Sequence, residues 1–432
     1  MASVNYQSKE YKRSRSAYTA QCMFEYFISI LVTDAFLAKL LTHIGISDAV
    51  IGIISSLVSF SFLFQLLAIF LMERLRNIKR TVIFFDSLSQ LFFLGIYLTP
   101  FLKASALVKE VIVIACILLA YLTKYLITSL CYKWANSYVD PDHRGEFSAV
   151  KEMISLITGI IFTLLAGYVI DRFEALDNLE GGFLFIAVSM VILSICNFVC
   201  LLMIKNGMPE WYGSGNKKAA GLKVVMQNTL GNRNFMNVVI MSTLWSISRY
   251  MIIGFMGTFK TTDLLLSVGA IQAINMVANL VRLLLSQPFG RYSDNTSYAT
   301  GYRLGMMMAA GAFAVNIFCT KQTWWCVVLF TILYNGSMAG INQNSSNIIY
   351  SYVKSEYVVQ AMAIERSISG VVGFVAALTA GWILGKVQAA GNTFLGIPMY
   401  GQQLLSAIAL VIVIVAIVFA KQVVEKQSRM RA

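Results

Sequence analysis

Four ionisable residues lie deep within long apolar runs: Asp34, Lys124, Arg249 and Arg282. An ionised side chain at the centre of a bilayer costs roughly 2.5–3.5 kcal/mol on insertion scales, so each is expected to face a wet cavity or a partner. Three cations against one anion suit an anionic or zwitterionic ligand, and a partly buried carboxylate suits reversible proton uptake. Polar residues accompany them at helical spacing. Gln272, Asn275, Asn279 and Arg282 recur at i, i+3, i+7 and i+10, and Tyr121, Lys124, Tyr125 and Thr128 share a second stripe. Such faces line a water-filled cavity or supply hydrogen bonds between helices. Tyr334, Asn335, Asn342, Trp245 and Tyr250 are weaker candidates, because aromatic side chains in such runs are often packing or interface anchors.

Other chemistries lack their parts. His43 and His143 are isolated and fall in loops, so no nucleophile–base set or metal-ligand set is legible, and neither an enzyme nor a cofactor is expected. The seven cysteines are odd in number and scattered through apolar runs, which argues against a disulfide framework or a zinc site. The G-x-x-x-x-G-K-[ST] loop of an ATP-driven pump does not occur. The polar, basic first twenty residues carry no apolar core with a cleavage site, so no removable signal peptide is expected.

These residues must be positioned by membrane helices. The chain has 432 residues, 58% hydrophobic and only 13% charged. A helix needs about 20 apolar residues to cross a hydrocarbon core of about 30 Å. Runs such as Val111 to Leu122 and Leu404 to Ala420 are too long and too continuous for barrel strands. Hydropathy places twelve spans near 21–42, 48–72, 81–101, 109–131, 148–171, 182–204, 235–258, 263–288, 300–319, 323–345, 360–386 and 398–420. Glu25, Lys39, Asp86, Lys151, Glu152, Glu365 and Arg366 then lie nearer span ends, where a charge reaches the interface cheaply.

The expected domains are a tail (1–20), a first six-helix bundle (21–204), a polar linker (205–234), a second bundle (235–420) and a tail (421–432). Lys and Arg crowd the two tails and the even-numbered loops, as at Arg74, Arg76, Lys79 and Arg80, which places both termini in the cytoplasm. Topology and anionic lipid headgroups explain the net charge of +13, so nucleic acid is not an expected partner. The halves also resemble each other. Ser148 to Asp171 overlays Met362 to Gly385 at a constant offset of 214, matching Gly159 with Gly373, Ala166 with Ala380 and Gly167 with Gly381, after the charged pairs Lys151-Glu152 and Glu365-Arg366. Internal duplication is how many carriers are built.

Over essentially its whole length the chain resembles the major facilitator superfamily. The signature G-x-x-x-D-R-x-G-R-R after that family's second span is degenerate here. Ile69 stands for Gly and Glu73 for Asp, Arg74 is kept, and Arg76, Lys79 and Arg80 form the basic tail. The second copy, GRYSDN, keeps Gly290 and Asp294, with Asn295 where Arg is usual. The stretch Pro141 to Glu152 also looks like a common superfamily loop.

The resemblance implies an all-α polytopic protein with twelve transmembrane helices in two pseudo-symmetric six-helix bundles. It also implies a secondary active transporter of a small polar solute, working by alternating access and coupled to protons or another ion, in a bacterial cell membrane. Glu73, Arg74, Gly290 and Asp294 inherit the family's gate, with Glu365 and Arg366 as the facing contact. The solute site would use Asp34, Tyr121, Lys124, Tyr125, Arg249, Gln272, Asn275, Asn279 and Arg282. The repeat offset carries Asp34 to Ser248, beside Arg249, so these two are expected to pair, with Asp34 as proton carrier. A proton-antiport exporter is the alternative, although the fifth span lacks proline and has only Gly159 and Gly167. A scramblase or sensor on the same fold is a further one.

Overall fold

The computed structural model describes residues 8–67, 77–139, 144–205, 231–353, 358–394 and 396–429. Helix starts follow local capping chemistry. The side chains of Ser8, Asn77, Ser105, Asn178, Asn232, Ser267 and Ser297 each accept a hydrogen bond from a backbone N–H of the first turn. The helices are α1 (Lys9–Leu31), α2 (Asp34–His43), α3 (Asp48–Ser61), α4 (Ile78–Leu98), α5 (Ala106–Asn136), α6 (Arg144–Ala175), α7 (Leu179–Met203), α8 (Arg233–Tyr250), α9 (Val268–Asn295), α10 (Tyr298–Asn316), α11 (Trp325–Tyr352), α12 (Val358–Ala389) and α13 (Gly401–Phe419). Among the described residues the only strands are the two-residue pair Thr393–Phe394 and Ile397–Pro398.

Each of the twelve hydropathy segments overlaps one or more of these helices, the second over its described part, 48–67. Ten stretches among the described residues are long and apolar enough to cross a membrane. The other two segments are the first, split between α1 and α2, and the ninth, α10. Large apolar side chains point outward, among them Leu107 (70% exposed), Leu284 (73%) and Trp382 (67%). Such a surface is stable only against lipid.

The chain divides into two compact units, one of Met1–Gly45 with Leu67–Ala219, the other of Ile46–Leu66 with Ala220–Ala432. In the first, α1 packs on α6 and α7, and α4 on α5 and α7. Its core holds Tyr18, Val82, Ile127, Trp134, Tyr138 and Leu201. Trp134 Nε1 and Tyr138 Oη both donate to the carbonyl of Lys205, at 3.1 and 3.0 Å. This satisfies a backbone acceptor just past the end of α7.

The first span is broken. Helix α1 ends at Leu31, and Asp34 opens α2 with a left-handed φ of 47°. The fully buried Tyr97 donates its hydroxyl to the Leu31 carbonyl at 2.5 Å, filling an acceptor released by the break.

In the second unit, α8 packs on α12 and α13, and α11 on α9 and α10, around Trp245, Phe259, Phe313, Phe330 and Val413. Its first long helix is interrupted as well. Arg249 stands in the last turn of α8, before the short 3-10 turn Ile253–Phe255 and a π-helical turn, Phe259–Asp263. The segment α3 belongs to this unit, against α12 and that 3-10 turn. Gly370 allows the approach, since a Cβ there would run into the Ser59 carbonyl. The glycines matched by the repeat do the same job in each unit. A Cβ at Gly159 of α6 would strike Tyr26 of α1, and one at Gly373 of α12 would strike Tyr250 of α8.

Candidate functional site

Each unit carries its own polar cluster. In the first, α1 presents Tyr18, Gln21, Cys22 and Glu25 on successive turns of one face. Glu25 Oε1 meets Lys124 Nζ of α5 at 2.8 Å, and its Oε2 accepts from Gln21 Nε2 at 2.9 Å. The pair is not sealed off, the side chains being 27% and 22% exposed. Behind it lies Asp86 of α4, 5% exposed, which accepts from Asn197 Nδ2 of α7 at 2.5 Å. Lys151 of α6 donates to Tyr18 Oη at 3.4 Å and sits 4.7 Å over that ring. The Tyr121 and Tyr125 rings stack at 5.8 Å, and Phe93 meets Tyr121 edge-on.

In the second unit, the Arg249 guanidinium lies 5.2 Å from the centre of the Tyr250 ring. Its Nε is buried and makes no hydrogen bond, and the buried hydroxyl of Tyr334 on α11 faces the guanidinium closely enough to interact with it. Arg282 of α9 lies within electrostatic range of the same phenol. Tyr302 of α10 lies close to both Arg249 and Glu365 of α12. Glu365 is buried among hydroxyls and accepts from Ser369 Oγ at 3.3 Å, with Ser242 Oγ 3.1 Å from that hydroxyl. A cation with an open N–H beside a phenol can bind an oxyanion with two or more donors.

The structure thus places Arg249 against Tyr334, with Arg282 within electrostatic range of that phenol, and pairs Lys124 with an acid that hydropathy placed near a span end. The sequence starts the first span at residue 21, whereas α1 starts at Lys9, so Glu25 sits well inside a long helix. Gln272 is buried and accepts from Asn275 Nδ2 at 3.1 Å within its own helix; Asn279 is half-buried. Asp34 is half-buried at the α1–α2 break. At the expected gate, Glu73 and Arg74 lie outside the described residues. Gly290 faces Gln343, Asp294 and Arg366 are exposed, and Glu365 is buried. Sequence reasoning set Glu25 and Asp86 aside as charges near span ends and passed over Asn197 and Tyr302. Only Asp86, set in the apolar run IFFDSLSQLFF, carried a local signal.

Comparison with solved structures gives the same architecture at low identity. A point mutant of the nucleoside transporter NupG superposes with a TM-score of 0.74 at 12% identity, covering 94% of this chain and 99% of the other. A bacterial homologue of the human lysosomal transporter Spinster, inward-facing and unoccupied, gives 0.64 at 14% identity, with 97% of each chain covered. The POT family transporter PepTSo gives 0.66 at 10%, covering 96% and 98%. No curated protein matches the chain by sequence. The sequence profile of the Major Facilitator Superfamily matches residues 18–264, more than half of the chain, and the protein belongs to that superfamily.

Proposed function

We propose that this protein is a secondary active transporter that moves a small anionic or zwitterionic solute by alternating access, coupled to protons or another ion. The observation that carries this reading is the buried Arg249 guanidinium, whose Nε makes no hydrogen bond, facing the buried Tyr334 phenol, with Arg282 within electrostatic range of that phenol. Leaving a buried donor unpaired costs about 1–3 kcal/mol, more for a charged group, and a solute oxyanion would recover that loss. Lys124 adds less to the preference for anions than its sequence position suggests, because Glu25 neutralises it. Asp34, Tyr121, Tyr125, Gln272, Asn275 and Asn279 are proposed to border the solute path, with Asp34 as counter-charge to Arg249 during the cycle. The nucleoside and peptide transporters among the structural relatives support a polar solute and do not choose among classes.

A thermal-shift screen of purified protein tests the reading, since a ligand stabilises the state that binds it. Carboxylates, amino acids, dipeptides, sugars and nucleosides form the panel. We expect stabilisation by a carboxylate or a zwitterion, absent in Arg249→Gln. Stabilisation by an uncharged sugar alone, retained in Arg249→Gln, would overturn the anionic or zwitterionic assignment.

A further inference from the structure

The core-facing stripe of α4 runs through Val82, Asp86, Ser89, Gln90 and Phe93, all buried in the first unit. Its middle members, at i, i+3 and i+4, are polar and share one face of the helix. Ser89 Oγ donates to the Ala120 carbonyl of α5 at 2.9 Å, and Asp86 accepts from Asn197 Nδ2 of α7 at 2.5 Å. Two neighbouring oxygens are left over. Asn197 Oδ1 and Gln90 Oε1 accept no hydrogen bond among the described residues, although their side chains belong to residues only 1% and 4% exposed. The oxygen and nitrogen of an amide share one carbon, so Asn197 Oδ1 lies beside the Asp86 carboxylate. Gln90 stands one turn along α4 from that carboxylate.

A polar network that only ties helices together satisfies its acceptors, because an unmet buried group costs more than a bond gains. Counting donors separates the occupants that would satisfy these two. A proton on Asp86 supplies one O–H for two amide oxygens. A water molecule supplies two donors but no charge, and an ionised carboxylate buried at this depth calls for a cation. Lys124 does not serve, since its ammonium bonds Glu25 at 2.8 Å. A small cation meets all three oxygens and the charge together. One carboxylate balances a single positive charge, and carboxylate and amide oxygens are hard ligands. Calcium takes roughly six to eight such oxygens, and magnesium gives up its water reluctantly. A shell of three protein oxygens with one negative charge therefore suits an alkali ion of about sodium's size.

We propose that Asp86, Gln90 and Asn197 form a binding site for a sodium-sized alkali cation between α4 and α7, and that this cation is the coupling ion of the transporter. Bound there, it joins the two helices through the Asn197 and Gln90 oxygens and neutralises the Asp86 carboxylate. The coupling role rests on the transporter reading, whereas the binding step is tested without solute.

The measurement is equilibrium binding of radiolabelled sodium to the purified full chain, with choline chloride holding ionic strength constant. The wild type is expected to bind sodium saturably. Asp86→Asn should abolish binding, and Gln90→Met, which removes one oxygen and keeps the shape, should raise Kd by about 10-fold or more. Glu152→Gln, at an exposed position of α6, should bind as the wild type does. Monodisperse elution and retained helical circular dichroism qualify each variant, and if Asp86→Asn does not fold, Gln90→Met decides. No saturable binding by the wild type, the result expected of a resident water or proton, overturns the site. Binding unaltered in both variants overturns it equally. In proteoliposomes an inward sodium gradient should then drive accumulation of the ligand found in the thermal-shift screen by wild-type protein and not by Asp86→Asn. Accumulation indifferent to that gradient would overturn the coupling role, whereas absence of flux under any gradient, in a protein that binds sodium, would count against the transporter reading instead.

Discussion

At Arg249 the guanidinium is buried, lies 5.2 Å from the centre of the Tyr250 ring and faces the Tyr334 phenol. An interaction that binds solute through this group should vanish with its charge and weaken with the phenol. Arg249→Gln is expected to abolish stabilisation by the ligand found in the screen. Tyr334→Phe should raise the ligand Kd by about 10-fold or more, the loss of a hydrogen bond to a charged partner being about 1.5–3 kcal/mol. Calorimetric titration of both variants measures this, and equal affinity in Tyr334→Phe would remove the phenol from the site. The Glu25–Lys124 pair yields a different signature. Removing only one partner leaves a partly buried charge, so Lys124→Ala should lower stability by about 1–3 kcal/mol, a discounted range because both side chains are partly exposed. Adding Glu25→Gln to Lys124→Ala should restore part of the loss; thermal melts of the single and double variants read it directly.

At the scale of elements, the sequence located the spans well, because lipid imposes long apolar runs, while the capping residues emerged only with the structure. The sequence did not show where helices break. Nothing local in SILVTDAF marks the end of α1 at Leu31; the break is held by a phenol sixty-six positions away in the chain, at Tyr97. Tyr97→Phe should therefore destabilise the protein by about 1–3 kcal/mol through an unsatisfied carbonyl, and an unchanged melting temperature would show that the break holds itself. The Gly370 contact is similar. A methyl there meets backbone rather than a yielding side chain, so Gly370→Ala should cost about 1–3 kcal/mol by overpacking, whereas Gly311→Ala, facing open space, should be neutral or slightly stabilising. Charged sites were legible as depth in a run but not as partnerships. Lys124 stood out, while Glu25 seemed peripheral because the helix continues outward to a basic start that hydropathy ignores.

For the whole molecule, membership of the superfamily fixes a transporter architecture, whereas solute and driving ion reside in a few side chains. The direct test is counterflow in proteoliposomes, using the radiolabelled carboxylate or zwitterion that most stabilises the purified protein. We expect vesicles loaded with unlabelled ligand to accumulate label transiently with wild-type protein and to stay at the protein-free level with Arg249→Gln. No exchange by wild-type protein under conditions where the ligand stabilises it, or exchange by Arg249→Gln at the wild-type rate, would contradict transport through this site.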